Sequence, residues 1–518
     1  MQKELDRRLF LKLLSAAGAT ALIRCDSGES DNGSDTGGGS ETPHKIVVLG
    51  AGMAGLTAAY ELMKRGHEVV VLEAQSRVGG RIWTWRDGFK DGQYGEMGAV
   101  RIPDVHDQTL AYVEELGLEL DEFGSGDPLY YLKGERFVHK DGDGWPAAFN
   151  FSTIEAEKGL GMWEDYIAAN FDLFGNPRDG SFPAEGMMEA FDNKIYRDFL
   201  KDRGASDDWL LLYGSDQGSE INKIGTIAWM ALEVADQDWD KTYHIRGGND
   251  GLPLGLAEKL GDRIMLEHVV VGIDHDDSKV TVHYENNGKA GSMTAEHVVC
   301  AIPYSILRDI DIKPAFAADK TKCINELYMM PASRIALQTD TKFWQSEGIG
   351  GLKIAKTDTA AERLWDLSDV LDGTHGMVLA YMQYENALAF AAQSKDNRMA
   401  YLTGEIEKFF PDFGSKVVHS AAHAWSEDPW VKGAWTDILP GQGWMYPLLA
   451  RAEGRIHFAG EHTSIWAGWI QGAIESGKRA ANEIDSGVAT GAVTSQSTLK
   501  RIIRRRAIRL ARRFRFRP

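Results

Sequence analysis

Three closely spaced glycines between an apolar segment and a helical pattern constrain the fold more than any other feature. "KIVVL" has the composition of a buried strand, Gly50, Gly52 and Gly55 follow in the order G-x-G-x-x-G, and "MAGLTAAYELMKR" has helical periodicity ending at Gly66. "EVVVLE" then predicts a second strand that ends at Glu73. Glycines let the backbone approach a pyrophosphate, a helix N-terminus favours its charge, and an acidic residue can bind the ribose. The segment therefore predicts a Rossmann-like βαβ unit for an adenine dinucleotide, either NAD or FAD.

The size and charge of the chain favour a multidomain enzyme. The chain has 518 residues, of which 43% are hydrophobic and 10% aromatic, enough to bury a large core. It carries 57 basic and 76 acidic residues, although residues 499–518 contain no acid. Because an acidic body repels polyanions, we expect no nucleic-acid partner. Cys300 and Cys323 imply no disulfide framework and are expected to be ordinary thiols.

Residues 1–25 resemble a bacterial twin-arginine export signal. The paired Arg7 and Arg8 precede a short apolar run and small residues, which predicts export of a periplasmic, secreted or lipid-anchored protein. The alternative is a mildly basic helical N-terminus. Cys25 would suit lipidation, but Arg24 stands where a small residue is expected.

Three separated motifs identify the dinucleotide more closely. "EAQSRVGGRIWT" begins at Glu73, and "FAGEHT" and "GWIQGAIESGKRAA" lie near the C-terminus. In this order they resemble the flavin-containing amine oxidase family, and within it the bacterial FAD-dependent L-amino-acid oxidases. The resemblance runs from about Lys45 to Ile484. It implies an α/β fold, α+β overall, with a Rossmann-like FAD-binding domain, a mixed-sheet substrate-binding domain and a helical domain.

The predicted domain boundaries combine this resemblance with changes in composition. The predicted order is a signal at 1–25, a flexible linker at 26–43, a discontinuous FAD-binding domain at 44–104, 243–310 and 451–486, a mainly helical domain at 105–242, a substrate-binding domain at 311–450, and a linker with a basic tail at 487–518. Alternating apolar and polar residues around "NNG" predict a hairpin. The tail sets apolar residues among arginines, which suits either an anionic membrane surface or a frayed terminus.

The resemblance implies that FAD is bound non-covalently. The stretch "VKGAW" lacks the cysteine to which monoamine oxidases attach their flavin. Arg81 would neutralise phosphate, and Glu461 would bind the ribityl hydroxyls. The helix beginning near Trp469 would direct its positive end at the flavin ring, and Val270 would contact adenine. The implied cofactor contacts are Gly50, Gly52, Met53, Ala54, Gly55, Glu73, Ala74, Gly80, Arg81, Gly98, Ala99, Val100, Arg101, Val270, Glu461, Gly468, Trp469, Ile470, Gln471, Gly472 and Ala473.

Arg101 in "GEMGAVRIP" points to the class of substrate. It is a permanent cation in an apolar segment, which resembles the G-x-x-R-x-P pattern whose arginine holds the substrate carboxylate in L-amino-acid oxidases. A guanidinium matches a carboxylate through two parallel hydrogen bonds. Amine and polyamine oxidases generally lack this arginine. The alternative is an ion pair with a protein acid, of which Glu96 is the nearest in sequence.

Four further residues complete the implied catalytic set. Tyr381 in "GMVLAYMQY" matches a strand-borne tyrosine that donates to the same carboxylate, with Tyr384 as the second choice and a core tyrosine as the neutral interpretation. Gly468 and Trp469 match positions that face the substrate amine and wall the site. Arg334 replaces the lysine that holds a water near the flavin in many members, so its geometry at that water differs.

The implied reaction is oxidative deamination of an L-amino acid to a 2-oxo acid, with ammonia and hydrogen peroxide as further products and dioxygen as the acceptor. A hydride would pass from Cα to flavin N5, and Trp425 and Trp435 would line the side-chain pocket. No base stands out among the 14 histidines. Two alternatives stay open: a flavin monooxygenase that converts an aromatic L-amino acid to an amide, and an amine or polyamine oxidase. We also expect a homodimer and no metal.

Overall fold

The computed structural model describes residues 43–140 and 142–487. The predicted export signal, Cys25 and the basic tail at 499–518 lie outside these residues. Among the residues that are described, no helix is long and apolar enough to cross a membrane.

A five-stranded parallel sheet carries the predicted dinucleotide-binding motif. Its strands lie in the order Ile264–Met265, Glu68–Leu72, Lys45–Leu49, His297–Cys300 and Ile456–Phe458. The strand Lys45–Leu49 is buried from its second residue onward, as expected for a central strand covered on both faces. The sheet therefore joins segments that are far apart in sequence, and the Rossmann-like prediction is confirmed.

Two helices pack against each other beside this sheet. The glycine motif leads into Met53–Lys64, which ends close to the predicted position, with Gly66 at a φ of 89°. It packs against the C-terminal helix Ile470–Ser486. Gly477 allows the close approach, since a Cβ there would lie 2.4 Å from the carbonyl oxygen of Ala54.

A four-stranded sheet contains the predicted hairpin. Its strands lie in the order Lys289–Ala295, Val280–Asn286, Val269–His275 and Asp311–Lys313. Asn287 and Gly288, with φ values of 48° and 74°, form the turn between the first two. Positive φ at both central positions suits a two-residue hairpin loop, so the prediction around "NNG" is confirmed.

A seven-stranded sheet carries two of the predicted site residues, Arg334 and Tyr381. Its strands lie in the order Val417–Ala424, Ala332–Thr339, Gly376–Gln383, Arg363–Asp366, Lys353–Thr357, Leu129–Leu132 and Glu135–Val138. The last two form a hairpin within the stretch 105–242, which the sequence predicted to be mainly helical. Lys133 and Gly134 both have positive φ and close this hairpin. Its strand Leu129–Leu132 pairs with Lys353–Thr357, a tertiary contact that local periodicity does not reveal.

The remaining elements are short sheets and helices. The short sheets pair Thr84–Trp85 with Gly95–Glu96, Tyr328–Met330 with Trp435–Asp437, and Thr242–Ile245 with both Ile102–Pro103 and Leu120–Glu122. The other α-helices are Asp107–Glu115, Thr153–Lys158, Trp163–Tyr166, Phe171–Phe174, Met187–Phe191, Tyr196–Asp202, Asp207–Gln217, Thr226–Asp236, Gly251–Leu260, Tyr304–Leu307, Ala318–Glu326, Tyr384–Ala391, Arg398–Ile406, Phe413–Lys416 and Tyr446–Leu449.

Candidate active site

A cavity of about 980 Å³ brings most of the predicted site residues together. Gly50, Glu73 and Ala301 line it directly after parallel strands end, because the carboxyl ends of these strands meet at one edge of the sheet. The predicted residues that line the cavity are Gly50, Gly52, Met53, Ala54, Glu73, Ala74, Gly80, Arg81, Gly98, Ala99, Val100, Arg101, Val270, Arg334, Tyr381, Trp425, Trp435, Glu461, Gly468, Trp469, Ile470 and Ala473.

Three predicted cofactor contacts lie behind the cavity wall. A Cβ on Gly55 would lie 1.9 Å from the carbonyl oxygen of Gly50, so this glycine closes the strand-to-helix turn. Gln471 accepts hydrogen bonds from Thr109, and a Cβ on Gly472 would lie 2.2 Å from the carbonyl oxygen of Trp466. The structure therefore gives these residues packing contacts that support the wall.

The glycine-rich end of the cavity fits a dinucleotide. A Cβ on Gly52 would have no protein atom within 4 Å, which leaves its backbone open to a ligand. Gly52 caps the helix Met53–Lys64 without a side-chain hydrogen bond, so the first N–H groups of the helix face the cavity. Glu73 closes the second strand and accepts from the N–H groups of Ala51 and Gln75. Burial raises the pKa of Glu73, and the backbone donors oppose that shift.

Glu461 organises the other end of the cavity. Burial favours its neutral form, but the positive charge and hydrogen bond of Arg81 and the backbone N–H of Gly468 hold its pKa below the ordinary value. Arg81 Nη1 lies 2.7 Å from Glu461 Oε1, so the cation predicted to meet phosphate shares its charge with this acid. Glu461 Oε2 also accepts from the backbone N–H of Gly468. The helix after Trp469 has no acid in its first turn, which leaves its positive end available to the cavity.

Arg101 lies in an aromatic enclosure on the cavity wall. Its guanidinium carbon is 4.8 Å from the ring centre of Trp365, 5.2 Å from that of Trp469 and 5.4 Å from that of Trp239. Burial lowers the pKa of Arg101 to about 10, so the side chain keeps its charge at neutral pH. Among the described residues, no carboxylate forms an ion pair with it. A desolvated cation in such a place predicts an anionic ligand.

The nearest acids in sequence and in space are engaged elsewhere. Glu96, the alternative partner, accepts from Thr84, from the backbone of Asn249 and from His244 at 3.0 Å. Asp216 lies 2.7 Å from both Lys353 and Lys356. Glu96 therefore does not form an ion pair with Arg101.

Three residues on neighbouring strands of the seven-stranded sheet form a row, with an arginine on each side of a tyrosine. Tyr381 pairs in register with Arg334 on one side and with Arg363 on the other, so the three side chains share one face. The guanidinium carbons of Arg334 and Arg363 lie 4.0 and 4.7 Å from the centre of the tyrosine ring. Nη1 of Arg334 has no hydrogen-bond partner within the described part of the chain. Together with Arg101, the row makes this part of the cavity electropositive.

The structure separates the two candidate tyrosines. Tyr381 lines the cavity, and burial raises its pKa to about 12, so its hydroxyl is a proton donor at neutral pH. Tyr384 does not line the cavity, and its hydroxyl donates to Asp437. The indole of Trp425 donates to the carbonyl of Met97, while that of Trp435 donates to Glu220.

Sequence reasoning missed several cavity residues because they depend on tertiary pairing. Arg363 and Trp365 lie on one strand whose register with Tyr381 is invisible in the sequence. Trp239 contacts Arg101 from the loop after the helix Thr226–Asp236. Glu220 and Gln383 meet in the cavity wall although they are far apart in the chain. No local motif marks any of these positions.

Comparisons with known proteins agree with this geometry. A family model for flavin-containing amine oxidoreductases matches residues 53–485. The flavin-dependent L-tryptophan oxidase RebO of Lentzea aerocolonigenes is 30% identical over 470 residues, which cover 86% of this chain and 98% of that protein. An L-amino-acid oxidase of Bungarus fasciatus is 28% identical over 463 residues, covering 86% of this chain and 87% of that protein.

Solved structures share the fold at lower identity. Wild-type putrescine oxidase bound to putrescine has a TM-score of 0.74 at 20% identity, covering 86% of this chain and 99% of that one. Cyclohexylamine oxidase from Brevibacterium oxydans IH-35A has a TM-score of 0.72 at 22% identity, with the same two coverages. At this identity the likeness establishes the fold alone.

Proposed function

Because the chain belongs to the flavin-containing amine oxidoreductase family, we propose that it oxidises L-amino acids to 2-oxo acids with release of ammonia and hydrogen peroxide. The observation that carries this proposal is Arg101, a cavity-lining cation without a carboxylate partner among the described residues. A substrate carboxylate would supply the missing anion through a bidentate, charge-assisted pair. The matched relatives named L-amino-acid oxidase support this choice.

The flavin is proposed to be non-covalently bound FAD. The backbone at Gly52 and the open end of the helix Met53–Lys64 would receive the pyrophosphate, Glu73 the ribose and Val270 the adenine. Glu461 and the start of the helix Ile470–Ser486 would hold the ribityl chain and the ring. When bound, the flavin accepts a hydride from the substrate Cα and passes the electrons to dioxygen.

The residues of the chain fix the orientation of the substrate. Arg101 and the hydroxyl of Tyr381 would hold the two carboxylate oxygens, so that the Cα hydrogen is presented to the ring. Gly468 and Trp469 would face the amine. Arg334, which lines the cavity, would stand where many family members hold a water close to the flavin. Trp435 and Gln383 would border the side chain of the substrate.

An amine oxidase is the main competing function, because solved amine oxidases have this fold. An amine offers no anion for Arg101, which would then remain a cation in the cavity wall without a carboxylate partner among the described residues. A flavin monooxygenase of an aromatic L-amino acid would share the arginine and differ in its products. Export, a homodimer and membrane contact through Cys25 or residues 499–518 remain further proposals.

Anaerobic mixing of the yellow protein with matched substrate pairs tests the proposal. We expect an L-amino acid to bleach the flavin band, and its decarboxylated amine to leave the band intact. Equal bleaching by the amine would contradict the role of the carboxylate. The D-amino acid serves as the control, since the same anchors would then turn its Cα hydrogen away from the ring.

A further inference from the structure

The proposed reaction leaves one proton without an assigned acceptor. An L-amino acid carries an ammonium group at neutral pH, whereas hydride transfer from Cα needs the lone pair of a neutral amine. Either the small neutral fraction of the amine binds, or a group in the cavity wall takes a proton from nitrogen. Of the described histidines, His268 alone lines the cavity, and it lies beside Val270 in the proposed adenine region.

Glu220 is a carboxyl group in the cavity wall next to the proposed amine position. It lies in the turn Ser219–Asn222 and is 7% exposed. Its Oε1 accepts from Trp435 Nε1 at 3.1 Å. Trp435 in turn packs on Gly468, since a Cβ there would lie 3.3 Å from the indole. Gly468, Trp435 and Glu220 thus form one continuous piece of wall.

Glu220 is one half of a buried carboxyl pair. Its partner, Asp437, is 1% exposed and accepts a hydrogen bond from Tyr384. Burial raises the pKa of Glu220, and burial together with the charge of Glu220 raises that of Asp437 well above its ordinary value. Two adjacent buried carboxyl groups disfavour a second negative charge, so one of them favours its protonated form. The charged and titratable groups that act on the pair are Arg363, Tyr381, Tyr384 and Glu461.

Gln383 holds the Glu220 carboxylate from the protein side. Its Nε2 donates to Glu220 Oε2 at 3.1 Å, which fixes the orientation of the amide. A Cβ on Gly218 would lie 1.8 Å from Gln383 Oε1 and 2.4 Å from Nη2 of Arg363, so this oxygen faces the protein. The amide therefore orients Glu220 in the cavity wall.

We propose, on the basis of the function proposed above, that Glu220 accepts the proton that leaves the substrate ammonium before hydride transfer. The N–H bond breaks with its electron pair left on nitrogen, and an O–H bond forms on Glu220. The pair with Asp437 changes from one negative charge to neutral. As the Cα hydrogen then leaves with its electron pair to the flavin, the nitrogen lone pair forms the C=N bond. Glu220 returns its proton to water after the product departs.

Binding of 2-aminoisobutyrate tests this role without turnover, because this amino acid has no Cα hydrogen. Its Kd is measured from the shift of the flavin spectrum between pH 6 and pH 9. In the wild type, the proton that leaves the ammonium group stays on Glu220 inside the complex. We therefore expect the Kd to be independent of pH above the pKa of the carboxyl pair. In Glu220→Gln, only the neutral amine binds, and Kd should rise about tenfold for each unit that the pH falls below the pKa of the amine.

Two variants control for structural effects. Glu233→Gln changes another carboxyl that lines the cavity and accepts from Trp229 and Tyr213, and the Kd of this variant should stay flat. Glu220→Asp keeps a carboxylate and should restore the flat profile. A flat profile in Glu220→Gln, or a tenfold slope in the wild type, overturns the proposal.

A calorimetric measurement on the wild type alone covers the case in which Glu220→Gln fails to fold. The binding enthalpy of 2-aminoisobutyrate in buffers of different ionisation enthalpy reports the protons exchanged with solvent. We expect no net release near neutral pH, and release of one proton per ligand overturns the role of Glu220. Failure of the proposed function has a different signature, because the wild type then binds neither this analogue nor any L-amino acid at any pH.

Discussion

Replacing Arg101 with lysine separates a carboxylate anchor from a structural cation. Lysine keeps the charge but offers a single compact donor in place of the planar fork. The neighbours of the Arg101 guanidinium are three tryptophan rings, so no acid among the described residues pairs with a lysine placed there. Losing one charge-assisted hydrogen bond costs about 2 kcal/mol, which corresponds to a fall of about 30-fold in kcat/KM. In Arg101→Met both bonds are lost, and we expect a fall of about 1000-fold.

The assay measures anaerobic reduction of the flavin by an L-amino acid. Stopped-flow absorbance records the reduction at several concentrations of the amino acid. The loss should appear mainly in the apparent Kd of the substrate, while the flavin content stays at the wild-type level. Arg86→Lys is the control, because Arg86 pairs with Asp250 at the surface and does not line the cavity. Wild-type kinetics in Arg101→Lys and Arg101→Met would refute the reasoning. An equal loss with decarboxylated amines would refute it as well.

Two other predictions concern the cofactor cradle and the pH dependence of stability. Gly52→Ala should fold but bind FAD weakly, because its Cβ would enter the space proposed for the cofactor. Gly55→Ala should reduce the yield of folded protein, because its Cβ would lie 1.9 Å from a backbone oxygen. Measurements of flavin content and melting temperature distinguish the two variants. Burial lowers the pKa of His462 from 6.5 to about 3. Below pH 6.5 the unfolded chain therefore binds a proton at this histidine that the folded chain does not bind, and the free energy of unfolding falls as the pH falls. His462→Asn should reduce this slope by up to about 1.4 kcal/mol per pH unit in urea unfolding.

The cofactor end of the site could be predicted from the sequence because its determinants are local. The glycine spacing, the strand before it and the acid after it lie within one short βαβ unit. Arg101 and Tyr381 were named through resemblance to a family, and the structure brings both to one cavity. In these cases the residue type and its immediate neighbours carry the information.

The remaining contacts at the substrate end could not be predicted because they depend on long-range register. Arg334, Tyr381 and Arg363 form a row only when three strands pair as they do here. Sequence proximity also suggested Glu96 as a partner of Arg101, whereas its strand directs it to His244. The contact between Glu220 and Gln383 joins two segments that share no pattern.

Product analysis tests the central claim most directly. The flavin-loaded protein is incubated in air with each of the twenty L-amino acids and with the matching decarboxylated amines, and the products are quantified by mass spectrometry and a peroxide assay. We expect at least one L-amino acid to yield its 2-oxo acid and hydrogen peroxide in equal amounts, while its amine is not turned over. Preferential turnover of an amine, or an amide with carbon dioxide as the products, would contradict it.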